Sequence, residues 1–299
     1  MRVFITGASG HIGSAVTTEL LGAGHEVVGL ARSEPSAAAI KALGAEVRRG
    51  GLEKPEDLAG LREAAADADA VIHLAFNHDA VAAGDMAGAA TADLAVVQAL
   101  GDALAGTGKT LMGVGFASTG AEKVDNVLKA NPRFVVAETI AGLAERGVRP
   151  LLMGIPPVVH STQDKRGFMP TLIGIARATG VSGYVDDGAN RWPAAHTLDV
   201  ARLYRLALEQ APVGEQLIAA TEEGVTVREI AETIGRHVGV PAKSIPAEQA
   251  ATYFKSFSLF MTLDLTLSSA HTQQLLGWQP EHPGLIADLE QGHYFATTT

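Results

Sequence analysis

The chain has 299 residues, a formal net charge of −10 and no cysteine, which excludes disulfides, thiolate catalysis and cysteine-bound metals. No basic run breaks the acidic balance, so no nucleic-acid partner is expected. No uninterrupted apolar run of about 18 residues suggests a membrane span. Ten histidines without HxH or HExxH spacing suggest no metal, and a core strand at the very start leaves no room for a signal peptide, so the expected compartment is the cytoplasm.

An apolar strand over 1–6 runs into glycines at 7, 10 and 13. Ile12, Ala15, Val16, Leu20 and Leu21 then recur at helical spacing, and Gly24 suits a helix C-terminus. A second strand covers 26–31. A short helix over 36–43 is closed by Gly44, and a third strand covers 45–48. Pro55 opens a helix to about residue 66. A fourth strand spans 70–75, a long Ala-rich helix 85–105, a fifth strand 110–117, a helix 134–145 and a sixth strand 149–155 stopped by Pro156 and Pro157. Further on, 197–208 carries an apolar stripe of helical period, and Thr226 with Glu229 forms a capping box for a helix ending before Gly239.

Strands alternating with helices give a parallel sheet covered on both faces. Strand, glycine turn and helix in that order is the phosphate-gripping start of a dinucleotide-binding fold. Gly7 permits the tight turn, Gly10 lets backbone approach a pyrophosphate, and Gly13 lets the helix lie close on the strand. The helix N-terminus offers unpaired N–H groups to the phosphates. The expected fold is α/β, a Rossmann-type doubly wound parallel sheet with a smaller C-terminal substrate lobe. Residues 1–155, joined by a returning helix over 197–212, form the dinucleotide-binding domain. Residues 156–196 and 213–299 form the lobe.

These residues resemble the short-chain dehydrogenase/reductase superfamily in its extended or atypical branch, alongside nucleotide-sugar epimerases and dehydratases. The likeness lies in Thr6–Gly13 as the cofactor motif and in His73 to Phe76 as the strand end beside the adenosine ribose. It extends to Ser118 or Thr119 at the catalytic serine position, Ile155 to His160 as the nicotinamide loop, and His196 to Ala201 opening a late helix. The resemblance implies a nicotinamide cofactor, small-molecule chemistry and, by the family's habit, a homodimer through helices beside the sheet. It places Gly7, Ser9, Gly10, His11, Ile12, Gly13, Leu52, Leu74, Ala75, Phe76, Pro156 and Val158 against the cofactor. At the end of the second strand Arg32 and Ser33 stand where a carboxylate would select NAD, so NADP(H) is expected. Many relatives hold an Asp against the adenine where this chain has Gly51.

Family reductases use a Tyr with a Lys one helical turn later, where the Lys lowers the Tyr pKa. Here the corresponding positions are Phe134 and Glu138. Tyr184, Tyr204, Tyr253 and Tyr294 are followed four residues on by Gly188, Leu208, Phe257 and Thr298, so the chain has no Tyr-x-x-x-Lys. Ser118, then Thr119, are the expected catalytic hydroxyls. His160 follows as a proton carrier, with the reading as a structural hydrogen-bond partner beside it. Lys123, His78 and Glu138 read first as surface or structural groups. Tyr184, Arg191 and Trp192 are expected to line a substrate pocket, or else to pack a hairpin-like loop. The leading expectation is an NADP(H)-dependent oxidoreductase acting on a carbonyl, alcohol or conjugated alkene of a small apolar metabolite. The alternatives are a redox-silent NADP-binding sensor and an epimerase/dehydratase-like enzyme.

Overall fold

Apolar residues two apart along the strands divide between two helical layers, and this division builds the sheet. In the computed structural model, which describes residues 1–116, 125–126 and 129–296, the first half runs β1 (Arg2–Thr6), α1 (His11–Gly22), β2 (Glu26–Ala31), α2 (Glu34–Ala42), β3 (Glu46–Arg49), α3 (Pro55–Asp67), β4 (Ala70–His73), α4 (His78–Ala82), α5 (Met86–Leu104), β5 (Thr110–Gly115), α6 (Phe134–Gly142) and β6 (Arg149–Gly154). The second half supplies β7 (Val158–His160), α7 (Phe168–Thr179), β8 (Ser182–Val185), β9 (Arg191–His196), α8 (Thr197–Gln210), β10 (Gln216–Ile218), β11 (Glu222–Thr226), α9 (Val227–Val238), β12 (Ala242–Ile245), α10 (Ala250–Phe254), α11 (Ser258–Thr262), α12 (Ala270–Leu276) and α13 (Leu285–Glu290).

The main sheet has seven strands in the order β10-β6-β5-β4-β1-β2-β3, all parallel. Val3, Ile5, Ile72 and Met112 point to the layer of α1 and α8, while Phe4, Val71 and Leu111 point to α3 and α5. Both faces are buried, so the strands read as continuous apolar runs. The late helix α8 packs on this sheet beside α1. Leu203, Tyr204 and Ala207 join the core beside Val16 and Leu20 of α1. Arg149 on β6 ties down its C-terminal end by donating to the carbonyls of Ala207 and Leu208 at 3.2 and 3.1 Å.

Three features differ from the sequence expectation. Strand β10 lies within 213–299, yet it pairs with β6 and completes the main sheet; three residues are too few to show a period. Helix α2 starts two residues earlier than expected, because Ser33 caps it by accepting the Ser36 N–H at 3.3 Å. The stretch 183–196 is not a hairpin, since β8 pairs with β12 and β9 with β7 and β11. The lobe has its own core of Met169, Ile173, Trp192, Ile230, Ile234, Phe254 and Leu285. Among the described residues no helix is long and apolar enough to cross a membrane.

Candidate dinucleotide cleft and catalytic region

The glycine turn has the geometry its spacing predicts. Gly7 sits at φ +77°, and a Cβ there would come within 2.8 Å of the Ala75 nitrogen at the end of β4. A Cβ on Gly13 would lie 2.0 Å from the Gly7 carbonyl oxygen, so only glycine lets α1 pack this close. Around Gly10 a Cβ would meet only the Gly7 oxygen, at 3.2 Å. Gly10 is the N-cap of α1 and brings no capping side chain, and the first turn holds no acidic residue. The N–H groups there are left for an external anion. These observations fit a dinucleotide pyrophosphate.

Beside the turn opens a cleft of about 160 Å³ lined by Arg32, Gly51, Leu52, Glu53, Lys54, Asp57, Ala75, Phe76, Asn77, Ala89, Ala92, Asp93 and Val96. It brings together four residues singled out from the sequence, Arg32, Leu52, Ala75 and Phe76. The acidic group absent at Gly51 returns from the next helix. The Asp57 carboxylate accepts the Gly51 N–H at 2.8 Å and the Lys54 N–H at 3.2 Å. The Gly51 N–H bond, followed by the Lys54 and Glu53 N–H groups against a small burial cost, holds Asp57 below the ordinary carboxylate range. The motif Lys54-Pro-Glu-Asp57 carried this signal as a helix start.

The other cofactor candidates stand elsewhere. Ser9 lies half-buried in the turn. His11 turns its ring toward the second lobe, and Ile12 and Leu74 pack against the sheet core. The Ser33 hydroxyl is engaged at the cap of α2. Pro156 is buried, and Val158 belongs to the lobe core.

A buried hydrogen-bond chain forms the floor under Phe76. The Thr6 hydroxyl accepts the Ala75 N–H at 3.3 Å and lies 2.6 Å from His73 Nδ1. His73 Nε2 lies 2.7 Å from Asp93 Oδ1, and Arg133 Nε donates to Asp93 Oδ2 at 3.3 Å. One assignment satisfies every atom: the Thr6 hydroxyl donates to Nδ1, and Nε2–H donates to the carboxylate. Burial alone would raise the Asp93 carboxyl, but the hydrogen bond from His73, with the charge and hydrogen bond of Arg133, outweighs it and holds it low. The Arg133 guanidinium also lies over the Phe76 ring, 3.9 Å from its centre. His78, edge-on to Phe76, is pushed below its ordinary value by burial and then by Arg133.

Ser118, Thr119 and Lys123 lie outside the described residues. Phe134 opens α6, its ring centre 6.1 Å from that of Phe116, and Glu138 is exposed on the same helix. His160 is fully buried. Its Nδ1 lies 2.9 Å from Asp288 Oδ2, and among the described residues its Nε2 has no partner.

His160 belongs to a polar seam between the sheet and the lobe. His11 Nε2 lies 2.6 Å from the Thr197 hydroxyl and 3.2 Å from the Ser161 hydroxyl. The Ser161 N–H donates to the Tyr294 hydroxyl, which donates to Asp164. Burial, and then the charge of Asp164, raise the Tyr294 phenol. His196 is edge-on to His160 and stacked on His282 with 7° between planes. Burial, and then His160 and His282, push His196 down to about 4. His196, Asp199 and His282 lie close enough to suggest a cation site, but parallel stacked rings cannot aim their in-plane lone pairs at one point. Asp199 already accepts the Glu281 N–H, the His282 N–H and the His282 ring. The cluster fastens the segment after α12 to the start of α8.

The substrate candidates have structural partners. Trp192 is fully buried, and its indole N–H donates to the Phe260 carbonyl at 3.1 Å. Arg191 makes a two-pronged pair with Asp264 at 3.0 and 2.9 Å. The Tyr184 hydroxyl accepts from Arg228 at 3.2 Å.

The NAD dependent epimerase/dehydratase family model matches residues 3–132. The chain is 40% identical over 302 residues to an uncharacterized protein of Schizosaccharomyces pombe, covering 99% of this chain and all of that one (100%). It is 28% identical over 279 residues to the 4-hydroxy-2-methyl-3-oxo-4-farnesyl-3,4-dihydroquinoline-1-oxide ketoreductase of Stigmatella aurantiaca, covering 84% of this chain and 78% of that one. The solved UDP-glucose 4-epimerase of Thermotoga maritima superposes with a TM-score of 0.72 at 17% identity, over 99% and 98% of the two chains, a likeness of fold.

Proposed function

Because the chain belongs to the NAD-dependent epimerase/dehydratase family, the extended branch of the short-chain dehydrogenases/reductases, we propose that it is an NADP(H)-dependent oxidoreductase acting on a carbonyl, alcohol or conjugated alkene of a small apolar metabolite. The observation that carries the cofactor choice is Arg32 on the wall of the cleft, at the end of β2, with no carboxylate next to it in sequence before Glu34. A guanidinium suits a 2′-phosphate, whereas a carboxylate suits free ribose hydroxyls. Similarity to a ketoreductase along most of the chain supports the reaction class.

The bound dinucleotide supplies or accepts a hydride. The chain's own residues do the holding. The first-turn N–H groups of α1 receive the pyrophosphate, and Leu52 and Phe76 give the adenosine half an apolar wall. The Thr6–His73–Asp93–Arg133 chain keeps Phe76 in place. Ser118, with Thr119 second, is the hydroxyl we assign to the substrate oxygen. His160 serves as the partner of Asp288, because its ring has no exposed surface.

Fluorescence titration with NADPH and NADH, followed by single-turnover absorbance against a panel of small carbonyl compounds, tests the reading. NADPH is expected to bind more tightly and to be oxidised by at least one member. Tight NADPH binding with no oxidation by any member would instead support a redox-silent binding protein. The family match itself favours a second reading, epimerase or dehydratase chemistry with transient hydride transfer. Calorimetric binding of a nucleotide sugar would support it.

A further inference from the structure

The loop between β7 and α7 runs from the first turn of α1 to α4. At one end the Ser161 hydroxyl lies 3.2 Å from His11 Nε2, and the Ser14 hydroxyl donates to Gln163 Oε1 at 3.2 Å, both on the first turn of α1. At the other end Arg166 Nη1 lies 3.9 Å from Asp79 Oδ1 on α4. The second oxygen of the same carboxylate lies 3.6 Å from Arg32 Nη2. Two guanidiniums, one from each half of the molecule, therefore converge on one anion at the rim of a cleft that Arg32 lines.

Two other surface arginine pairs are as wide, Arg2–Glu26 at 3.7 Å and Arg62–Asp102 at 3.8 Å, but in each one partner also closes a short pair, Arg2 with Glu46 and Asp102 with Arg146. Arg2–Glu46, Arg48–Glu63 and Arg49–Glu34 close to 2.8, 2.6 and 2.6 Å. The two Asp79 pairs stay about an ångström wider, too long for hydrogen bonds. Asp79 is 71% exposed, Arg32 70% and Arg166 90%. Among the described residues neither guanidinium has another ion pair or hydrogen bond. Their N–H donors are in place and unused, and the carboxylate between them is weakly held and screened.

We propose that Arg166 and Arg32 form a two-guanidinium clamp for the 2′-phosphate of the dinucleotide, and that Asp79 is the latch which a phosphate displaces. The proposal rests on the NADP(H) reading and adds a residue from the second lobe to it. A phosphate monoester carries close to two charges and three acceptor oxygens, so it engages two guanidiniums better than one carboxylate does. Because the same loop rests on His11 and Ser14, closing the clamp seats it over the turn that receives the pyrophosphate. The second lobe thereby takes part in choosing the cofactor.

Calorimetry on the full chain tests this with NADPH, NADH, and adenosine 2′,5′-bisphosphate against 5′-AMP as minimal probes. Arg166→Gln is expected to weaken NADPH and the bisphosphate about tenfold, one charge-assisted contact's worth, and to leave NADH and 5′-AMP unchanged. Asp79→Asn is expected to tighten NADPH about threefold at low salt, with the gain shrinking as salt rises. If the wild type binds NADH as tightly as NADPH, the NADP(H) reading falls and the clamp with it. If the wild type prefers NADPH, Arg32→Gln abolishes the preference and Arg166→Gln keeps it, the clamp alone is overturned. Equal losses of NADPH and NADH in Arg166→Gln also overturn it.

Discussion

The glycine turn and the polar seam hold the same helix, α1, by opposite means. The turn works by subtraction: side chains are missing at Gly7, Gly10 and Gly13, and backbone fills the space, from the turn itself at Gly10 and Gly13 and from the end of β4 at Gly7. The seam works by addition. It brings His11, Ser161, Thr197 and Tyr294 together across separations of more than a hundred residues, and each contact uses at least one side chain. The first arrangement is rigid by sterics and exposes donors to a ligand. The second is rigid only while its network is complete, and it encloses its polar groups. The helix is thus placed by backbone at the end we assign to the phosphates, and by exchangeable side chains where the lobe docks.

Breaking the first half of this contrast should have the largest effect. Gly13→Ala drives a methyl into the Gly7 carbonyl, a contact no rotamer relieves. It should cost about 3 kcal/mol and abolish NADPH binding, read by urea unfolding and fluorescence titration. Breaking the seam at its most buried carboxylate comes next. Asp199→Ala strands the Glu281 and His282 N–H groups and should cost about 2–3 kcal/mol, with cofactor affinity changed less than stability.

The seam should also respond to acid where the turn cannot. His196 sits at about 4 when folded, against an ordinary 6.5, so the native state binds fewer protons than the unfolded chain in between. Its contribution is complete above pH 6.5 and is lost as pH falls toward 4. The loss is about 2 kcal/mol once allowance is made for water reaching the ring. Urea unfolding at pH 7 and 4.5 should show a smaller drop in His196→Gln than in the wild type. Smallest is Tyr294→Phe, which removes the Asp164 and Ser161 bonds at a cost of about 1 kcal/mol. A shift in the Michaelis constant for NADPH without a change in kcat would show that the seam positions α1, whereas no shift would confine Tyr294 to stability.

The same contrast explains what could be read from the chain alone. The order of β1 to β6 with their helices, α4 excepted, the glycine turn, and the strand-end places of Arg32, Leu52, Ala75 and Phe76 were legible because period, caps and turn chemistry are local. Asp57 was legible only as a helix start; its approach to Gly51 depends on how α3 enters. Trp192 and Arg191 read equally as pocket lining or as loop packing, because a polar loop carrying an aromatic gives the same pattern whether it faces a ligand or side chains such as Phe260 and Asp264. The seam's histidines carry no motif, since their partners come from distant segments that meet only when the lobe is built. Ser118 and Thr119 lie outside the described residues and rest on their place after β5.

The late arrival of β10 at the edge of the main sheet bears on how the molecule is made. During synthesis β6 emerges with an unpaired flank, and its partner, Gln216–Ile218, follows about sixty residues later, after β7, β8, β9 and α8. Until then the growing chain presents an open row of backbone donors and acceptors, the kind of template that recruits foreign strands. A fragment ending at residue 155 would keep that flank permanently and would lack α8 over α1. It should therefore aggregate rather than fold, although it contains the whole phosphate-binding turn.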